Sequence, residues 1–600
     1  MSHFESSPHA PSMPAPNAVT TLAKQAWIHC FEKPLAGAEV GPLAGLTFAV
    51  KDNIDVINVA TTAGCPAFER RAEQSATVVQ RLLHAGATLH GKTNLDQFAC
   101  GLNGTRSPYG AVPNAFDARY VSGGSSSGSA YVVATGQVDF ALGTDTAGSG
   151  RVPAGLNNIV GFKPSRGLIS AAGVLPAAQS VDVVSIFART VQIAWQVLLS
   201  AKGVDPADPY SRPLSCDTQP VGDHFKFGVP GDPEFYGDQH AQEAFEVAVK
   251  RLQGMGGVAV PIDFQPLAEV ADLLYGSALV AERYAAIRSF FDANEADIIE
   301  PVRSIIAAGK AYGAADVFDA QTRLRTLAQR IAPIWDAIDM LVVPTAPTHY
   351  TIESMQADPV RLNRNLGHYT NFVNLLDYAA LSVPSSIRED GLPFGITLIG
   401  ACGSDWRLAQ LGLRYHQLCD LPLGATTSRM QAEPVTLEAW PSDAPMVHLA
   451  VVGAHLSGMP LNGQLIERGA KLLRTTRTKA LYKLFALADT APEKPGLLRV
   501  AESEGHAIEV EVWQMPVQSY GSFVALIPAP LGIGTLTLES GEAVQGFLCE
   551  HHALTQAQDI SSFGGWRAYM RSRSSSVTVP ALHINVRSTP PLTTSHRSSS

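Results

Sequence analysis

The sequence reads as a large α/β layered domain followed by a smaller α+β domain. From Leu43 onward, strand-like apolar runs alternate with helix-like runs, which is the pattern of layered α/β structure. At 600 residues the chain is too long for one hydrophobic core. After Leu421–Pro445, a stretch rich in Pro, Thr, Ala and Ser, the pattern restarts as short strands with few helices. The division expected is a disordered terminus over 1–18, a first domain over 19–420, a linker over 421–445, a second domain over 446–570 and a disordered tail over 571–600.

Each element has a local reason. Residues 1–18 are dominated by Ser, Pro and Ala and cannot bury enough apolar surface to order. Gln25–Phe31 is a short apolar helix candidate. Leu46-Thr47-Phe48-Ala49-Val50 is a strand, with Lys51 at its end. Ala76–Ala85 has helical periodicity and stops at Gly86, a good helix-ending residue. Ala87–His90 is strand-like again. Pro206–Asp223 reads as a loop-rich insertion, Phe225–Pro230 as a strand, and Ala241–Leu252 as an amphipathic helix ending near Gly254. Ala268–Phe291 reads mostly as one helix packing through Leu273, Leu274, Leu279 and Val280. Leu341–Pro347 is a buried strand and Asp405–Leu418 the last helix of the first domain. The second domain shows strands at Val447–Val452, Tyr482–Ala486, Leu497–Val500, Ile508–Trp513, Phe523–Ile527, Thr535–Leu538 and Gly546–Glu550.

Composition excludes several classes. Net charge is −10 and the sequence pI about 5.9, which argues against a nucleic-acid or anionic-membrane surface. No apolar run approaches the ~18–20 residues of a membrane span, and the first residues lack the basic start and apolar core of a signal peptide. Seven scattered cysteines without a C-x-x-C pair read as reduced thiols of a cytosolic protein. No His/Asp ligand cluster is evident, so neither metal nor cofactor is expected.

The chemistry is concentrated in two Ser/Gly loops. The first is Tyr-Val-Ser-Gly-Gly-Ser-Ser-Ser-Gly-Ser-Ala at 120–130, the second Gly-Thr-Asp-Thr-Ala-Gly-Ser-Gly-Arg-Val-Pro at 143–153. Such composition also suits a flexible linker, but these runs are short and flanked by buried-looking segments at Tyr131–Thr135, Val138–Leu142 and Ile159–Phe162. A phosphate loop would need G-x-x-x-x-G-K-[ST], which is missing. Gly124-Ser125-Ser126-Ser127-Gly128 does match G-x-S-x-G. That motif needs strand–turn–helix context with Asp and then His downstream, and letters drawn only from Gly and Ser match it easily by chance. A Ser–Ser–Lys arrangement uses both loops and Lys51 together. Serine is a weak nucleophile that needs an adjacent base, and lysine can be that base only when burial keeps it neutral. Glycines let backbone N–H groups converge on an oxyanion.

Those residues resemble the amidase signature family. Lys51-Asp52-Asn53, Gly123-Gly124-Ser125-Ser126 and Asp145-Thr146-Ala147-Gly148-Ser149 carry the resemblance, with support from Lys92-Thr93-Asn94 and Gly110-Ala111-Val112-Pro113-Asn114. It covers roughly Thr20 to Leu418 and implies a mixed sheet between helical layers. It also implies a triad of Lys51, Ser125 and Ser149, with a cis peptide at Gly124–Ser125 and Ser125 relaying the proton. The N–H groups of Thr146, Ala147, Gly148 and Ser149 would hold the oxyanion, and Gly124 would contact substrate. Ser126, Asp145 and Arg151 would support the loops, the last two pinning the serine loops to each other.

The chain departs from the usual family pattern at Ala147, Gly150 and Ser127, and this variant pattern resembles the allophanate hydrolases. Tyr275 and Arg283 match that branch's carboxylate-binding pair, and arginine's planar fork suits a carboxylate. Eight residues of continuous helix would set the two ~12 Å apart in rise, so they converge only if Gly276-Ser277 breaks the helix or Arg283 reaches. The second domain resembles the C-terminal domain of the same branch, similar to a gamma-glutamyl cyclotransferase-like fold. There His455, in a Gly-rich loop, is either structural or a proton-transfer residue for the product, and Glu550 is a weaker candidate. The resemblance implies hydrolysis of allophanate to ammonia and carbon dioxide through N-carboxycarbamate, a biotin-dependent urea carboxylase as pathway partner, and a homodimer. Two alternatives stay open: a general amidase or glutaminyl amidotransferase-type subunit, and an inactive scaffold in a urea-degrading assembly.

Overall fold

A computed structural model of the chain describes residues 22–430, 435–440, 446–488 and 490–574. The stretch expected to be disordered at 1–18, most of the expected tail and parts of the linker lie outside these residues. The chain separates into two compact units, Met1–Pro441 and Ser442–Ser600. Among the described residues no helix is long and apolar enough to cross a membrane.

The first unit is built on an 11-stranded mixed sheet. From one edge its strands run Trp27–Leu35, Thr88–Thr93, Thr47–Lys51, Phe140–Asp145, Val183–Ala188, Val160–Lys163, Ala379–Ile387, Pro393–Gly400, Met340–Pro344, Phe225–Pro230 and Gly257–Ile262. Successive residues of a strand point to opposite faces, and both faces are covered. Phe48, Val50, Phe140 and Leu142 enter a core with Phe162, Trp195 and Trp406. Ala49 and Ala141 face the other way, onto Tyr131, Val133 and Phe187. This second layer includes the fully buried helix Ser127–Ala134.

Two strands decide where chemistry can happen. Thr47–Lys51 and Phe140–Asp145 are parallel neighbours, with Val50 opposite Leu142. Both therefore end at the same edge of the sheet, Lys51 on one and Thr144-Asp145 on the other. The crevice at the carboxyl ends of strands is the usual place for a ligand in α/β sheets.

Three elements differ from expectation. Gln25–Phe31, expected as a helix, is a 3-10 turn at Lys24–Ala26 followed by strand Trp27–Leu35, because pairing with Thr88–Thr93 along the sheet edge outweighs local preference. Phe523–Ile527, expected as a strand, instead holds the last two residues of helix Val517–Val524, whose buried residue is Phe523, and the turn that follows it. A short apolar run does not distinguish the two conformations. The Ala268–Phe291 helix is interrupted: Gln265–Gly276 ends at Ser277 in extended conformation, and a 3-10 turn leads into Ala281–Asn294.

The second unit holds a five-stranded sheet in the order Lys471–Arg477, Glu509–Pro516, Met446–Val451, Ala543–Cys549, Leu531–Thr537, and a three-stranded sheet of Pro495–Arg499, Tyr482–Ala486 and Gln558–Asp559. Lys471–Arg477 has no signal in the sequence because it is a mostly exposed edge strand of polar composition. The last helix, Trp566–Ser574, runs past Met570.

Candidate active site

Lys51 ties the two Ser/Gly loops together. Its Nζ donates to Ser125 Oγ (2.7 Å) in the first loop and to Thr144 Oγ1 (2.8 Å) at the root of the second. The side chain is fully buried. Burial lowers its pKa from 10.5 to about 7, although Asp96, Asp182 and Asp145 pull the other way. A lysine so placed is substantially neutral near pH 7 and can accept a proton. Beside it Asp52 pairs with Lys92 at 3.0 Å, both buried, so the charge next to Lys51 in sequence is already neutralised.

The first loop carries Ser125 after a cis Gly124–Ser125 peptide. Gly124 has no room for a side chain: a Cβ there would lie 2.2 Å from Asp96 Oδ2. Asp96 organises this region, its carboxylate accepting from the N–H groups of Asn103, Gly104 and Arg106, while its own N–H donates to Ser125 O. Ser126 Oγ donates to Thr144 O (3.2 Å) and so attaches the first loop to the strand that enters the second.

The second loop is held by Asp145 and Arg151. Arg151 Nε and NH2 donate to the two Asp145 oxygens, both at 2.9 Å, in a fully buried pair. Burial opposes the charge on Asp145, but Arg151 and backbone N–H donors outweigh it and hold the carboxyl below its ordinary range. Arg151 also donates to Thr370 O and Asn374 Oδ1. The pair therefore pins the second serine loop to itself and to helix Asn371–Leu375, whereas the expectation from the sequence placed it between the two serine loops. The Gly148 N–H, expected among the oxyanion donors, is instead taken by Asp145 Oδ1 (2.9 Å). The N–H groups of Thr146, Ala147 and Ser149 have no acceptor among the described residues. Gly148 has φ +132°, and a Cβ there would meet Thr370 Oγ1 at 2.3 Å. Ser149 Oγ donates to Gly101 O (3.4 Å) in this state and makes no hydrogen bond to Ser125.

Tyr275 and Arg283 do converge. Because the helix breaks at Ser277, Arg283 NH2 donates to Tyr275 OH at 3.1 Å, and the guanidinium lies 5.0 Å from the tyrosine ring centre. Arg283 is 4% exposed and has no carboxylate within ion-pair distance among the described residues. Its Nε and NH1 are buried and unpartnered. Asp182 is close enough for its charge to act on Arg283. Burial raises its own carboxyl to about 6, against hydrogen bonds from Thr146, Ala177 and Ala178. Tyr275 also borders a cavity of about 650 Å³ lined by Arg106, Leu273, Val280, Ile305 and Asn371.

In the second unit His455 lies between two rings, stacked on Phe547 and edge-on to Phe523, each 5.2 Å away. One ring nitrogen, Nε2, is hydrogen-bonded to Gln464 Oε1 (2.9 Å), and burial lowers the imidazole's pKa. It lines a cavity of about 180 Å³ together with Lys494, Leu461 and Leu531. Glu550 is not part of that cavity; it is exposed and paired with His552.

Sequence reasoning missed Asp96, Thr144, Asp182, Thr370 and Asn374. Each is a lone polar residue whose role depends on what the fold brings beside it, and no motif signals it.

Comparison with known families matches residues 12–409 to the amidase model. The chain belongs to the amidase family. Behind its amidase unit, residues 447–571 match the allophanate hydrolase C-terminal domain. Urea amidolyase of Saccharomyces cerevisiae is 44% identical over 573 residues, which is 93% of this chain and 31% of the relative. The chain thus spans about a third of the length of the curated urea amidolyases it matches. The structure of Kluyveromyces lactis allophanate hydrolase matches with a TM-score of 0.75 at 43% identity, covering 89% of each chain. The amidase unit by itself resembles a glutamyl-tRNA(Gln) amidotransferase component from Prochlorococcus marinus, 33% identical over 65% of this chain and 86% of the relative.

Proposed function

We propose that the chain is an allophanate hydrolase of the Ser–Ser–Lys type. The observation that carries this is Arg283: a buried guanidinium with two unpartnered nitrogens, beside the Tyr275 hydroxyl and without a carboxylate of its own among the described residues. An uncompensated buried cation is costly, and a small anionic substrate group supplies what is missing. Arg283 and Tyr275 would hold the allophanate carboxylate. Ser149 Oγ attacks the terminal amide carbonyl, its proton passing through Ser125 to neutral Lys51. The oxyanion is received by the N–H groups of Thr146, Ala147 and Ser149. Collapse expels ammonia, protonated by the same relay, and water hydrolyses the acyl-enzyme to N-carboxycarbamate. The supporting relatives are the urea amidolyases and the K. lactis enzyme.

On this reading a biotin-dependent urea carboxylase supplies the substrate, and the enzyme works as a cytosolic homodimer. The second unit acts on the product at the His455 cavity, where Lys494 offers a cation to the dianion and His455 assists loss of carbon dioxide. An His455→Ala variant would then release ammonia from the first step at the wild-type rate but accumulate N-carboxycarbamate, detectable by carbon NMR.

The deciding experiment is ammonia release from allophanate, malonamate, acetamide and glutamine by wild type and Arg283→Ala. Losing a buried charge-assisted contact to the substrate costs roughly 2–5 kcal/mol in kcat/KM. Strong preference for allophanate, lost in the variant, is the expected result. Equal turnover of neutral amides, unchanged by the substitution, would make this a general amidase.

A further inference from the structure

We infer that the turn at residues 177–182 is a positioning element that couples the carboxylate pocket to the oxyanion loop, with Glu282 and Asp182 as its anchors. The inference rests on Arg283 holding the substrate carboxylate, as proposed above.

The turn is gripped from both sides. On the pocket side, Glu282 accepts from Ser180 N at one carboxylate oxygen and from Ser180 Oγ at the other, each at 2.7 Å. Glu282 immediately precedes Arg283 in the first turn of helix Ala281–Asn294. On the catalytic side, Asp182 Oδ1 accepts from Thr146 Oγ1 at 2.5 Å, while Oδ2 accepts from Ala177 N (2.6 Å) and Ala178 N (3.1 Å). Thr146 is one of the residues whose N–H is assigned above to the developing oxyanion. Asn374 Nδ2 makes a second link, donating to both Val181 O (3.1 Å) and Asp145 O (2.7 Å). Neither Glu282 nor Asp182 is in an ion pair among the described residues, so Arg283 is left open for a ligand while both carboxylates are spent on the turn.

A carboxylate seated on Arg283 therefore pulls on a helix start that is tied through a single short turn to Thr146. The reacting geometry is sensitive at this level: displacement by about 1 Å can cost about 100-fold in rate. Glu282, Asp182 and the Thr146 hydroxyl touch no reacting atom and act only through what they hold. An allophanate-bearing site gains its full oxyanion geometry through the turn, whereas a neutral amide, which leaves Arg283 empty, does not draw on it.

The test compares Glu282→Ala, Thr146→Val, their double variant and Thr146→Ser with wild type, using allophanate and acetamide. Thr146→Val removes only the hydroxyl link and keeps the backbone N–H; Thr146→Ser restores the link. Coupling predicts that each single variant lowers kcat for allophanate by about 10- to 100-fold with KM unchanged, and that Glu282→Ala leaves kcat/KM for acetamide within about threefold of wild type. It also predicts that the double variant is no slower than the worse single one, because both cut the same connection, and that Thr146→Ser behaves like wild type. Parallel losses on both substrates, additive in the double variant, mean general loosening of the site and overturn the inference. A rise in KM with kcat unchanged means Glu282 merely places Arg283, and overturns it too. If Glu282→Ala does not fold, Ser180→Ala, which removes the hydroxyl contact to Glu282 and touches no catalytic group, takes its place. A wild type that cleaves acetamide as readily as allophanate sinks the substrate reading and the coupling together. A selective wild type with equally slowed variants sinks the coupling alone.

Discussion

Lys51 shows how one residue sets a pH dependence. Burial brings its pKa to about 7, and the proposed mechanism needs it neutral. Activity should therefore climb as pH rises through about 7 and level off above it, with a slope of one on the acid side. Initial rates between about pH 6 and pH 9 check this; a flat profile contradicts the lysine as base. Arginine stays protonated at any accessible pH, so Lys51→Arg should lose roughly 10²- to 10⁴-fold in kcat at every pH. Ser149→Ala should abolish ammonia release and labelling by an activated phosphonate. Retained turnover in that variant would remove Ser149 from the nucleophile's role.

At the scale of elements, the second serine loop is held because one buried ion pair is used several times. Asp145 accepts from Arg151, Gly148 N and Gly150 N, and Arg151 reaches on to Thr370 and Asn374. Arg151→Met should cost about 3–5 kcal/mol of stability, because it leaves Asp145 charged and buried without its partner. Urea unfolding measures that cost. The same variant should lose kcat more than it changes KM, since the loop donates to the transition state and not to the carboxylate pocket. Unchanged stability would show that backbone donors alone satisfy Asp145. The break at Ser277 belongs to this scale as well. Its hydroxyl donates to Leu273 O and accepts from Leu279 N, ending one helix and starting the next turn. Without it Tyr275 and Arg283 could not meet.

At the scale of the whole molecule, buried titratable groups tie stability to pH. His416 is 2% exposed with both ring nitrogens unpartnered, and burial lowers its pKa from 6.5 to about 4. The unfolded imidazole takes a proton near 6.5 and the folded one only near 4, so stability falls as pH drops through that window, by on the order of 3 kcal/mol in all. His349, also lowered to about 4, acts in the same direction. Asp182, raised to about 6, opposes them, because its folded carboxyl protonates first. The amidase unit should unfold at lower urea at pH 5 than at pH 7, and His416→Leu should flatten the slope. Equal midpoints for wild type at the two pH values would contradict this. Lys51 and Lys163, lowered to about 7 and about 8, extend the trend to the alkaline side: their unfolded forms hold protons that the folded forms have lost, so stability rises with pH there too.

Local pattern by itself pointed to the layered α/β class and to several strands and helices of the first unit, among them Thr47–Lys51, Thr88–Thr93, Phe225–Pro230 and Asp405–Cys419. The resemblance of the two Ser/Gly loops and Lys51 to the amidase signature pointed to Lys51, Ser125 and Ser149, because such a signature is carried in a few adjacent letters. Tertiary structure alone decided the rest. Trp27–Leu35 became a strand because an unpaired sheet edge was beside it. The Gly148 N–H went to Asp145, leaving three unengaged N–H groups among the described residues where four oxyanion donors were expected. Asp96, Thr144, Asp182 and Asn374 acquired roles only when distant segments met, Asn374 lying 229 residues from Asp145. A hydrogen bond is a short-range, directional interaction, and nothing in a chain's local sequence states which far segment will supply its partner.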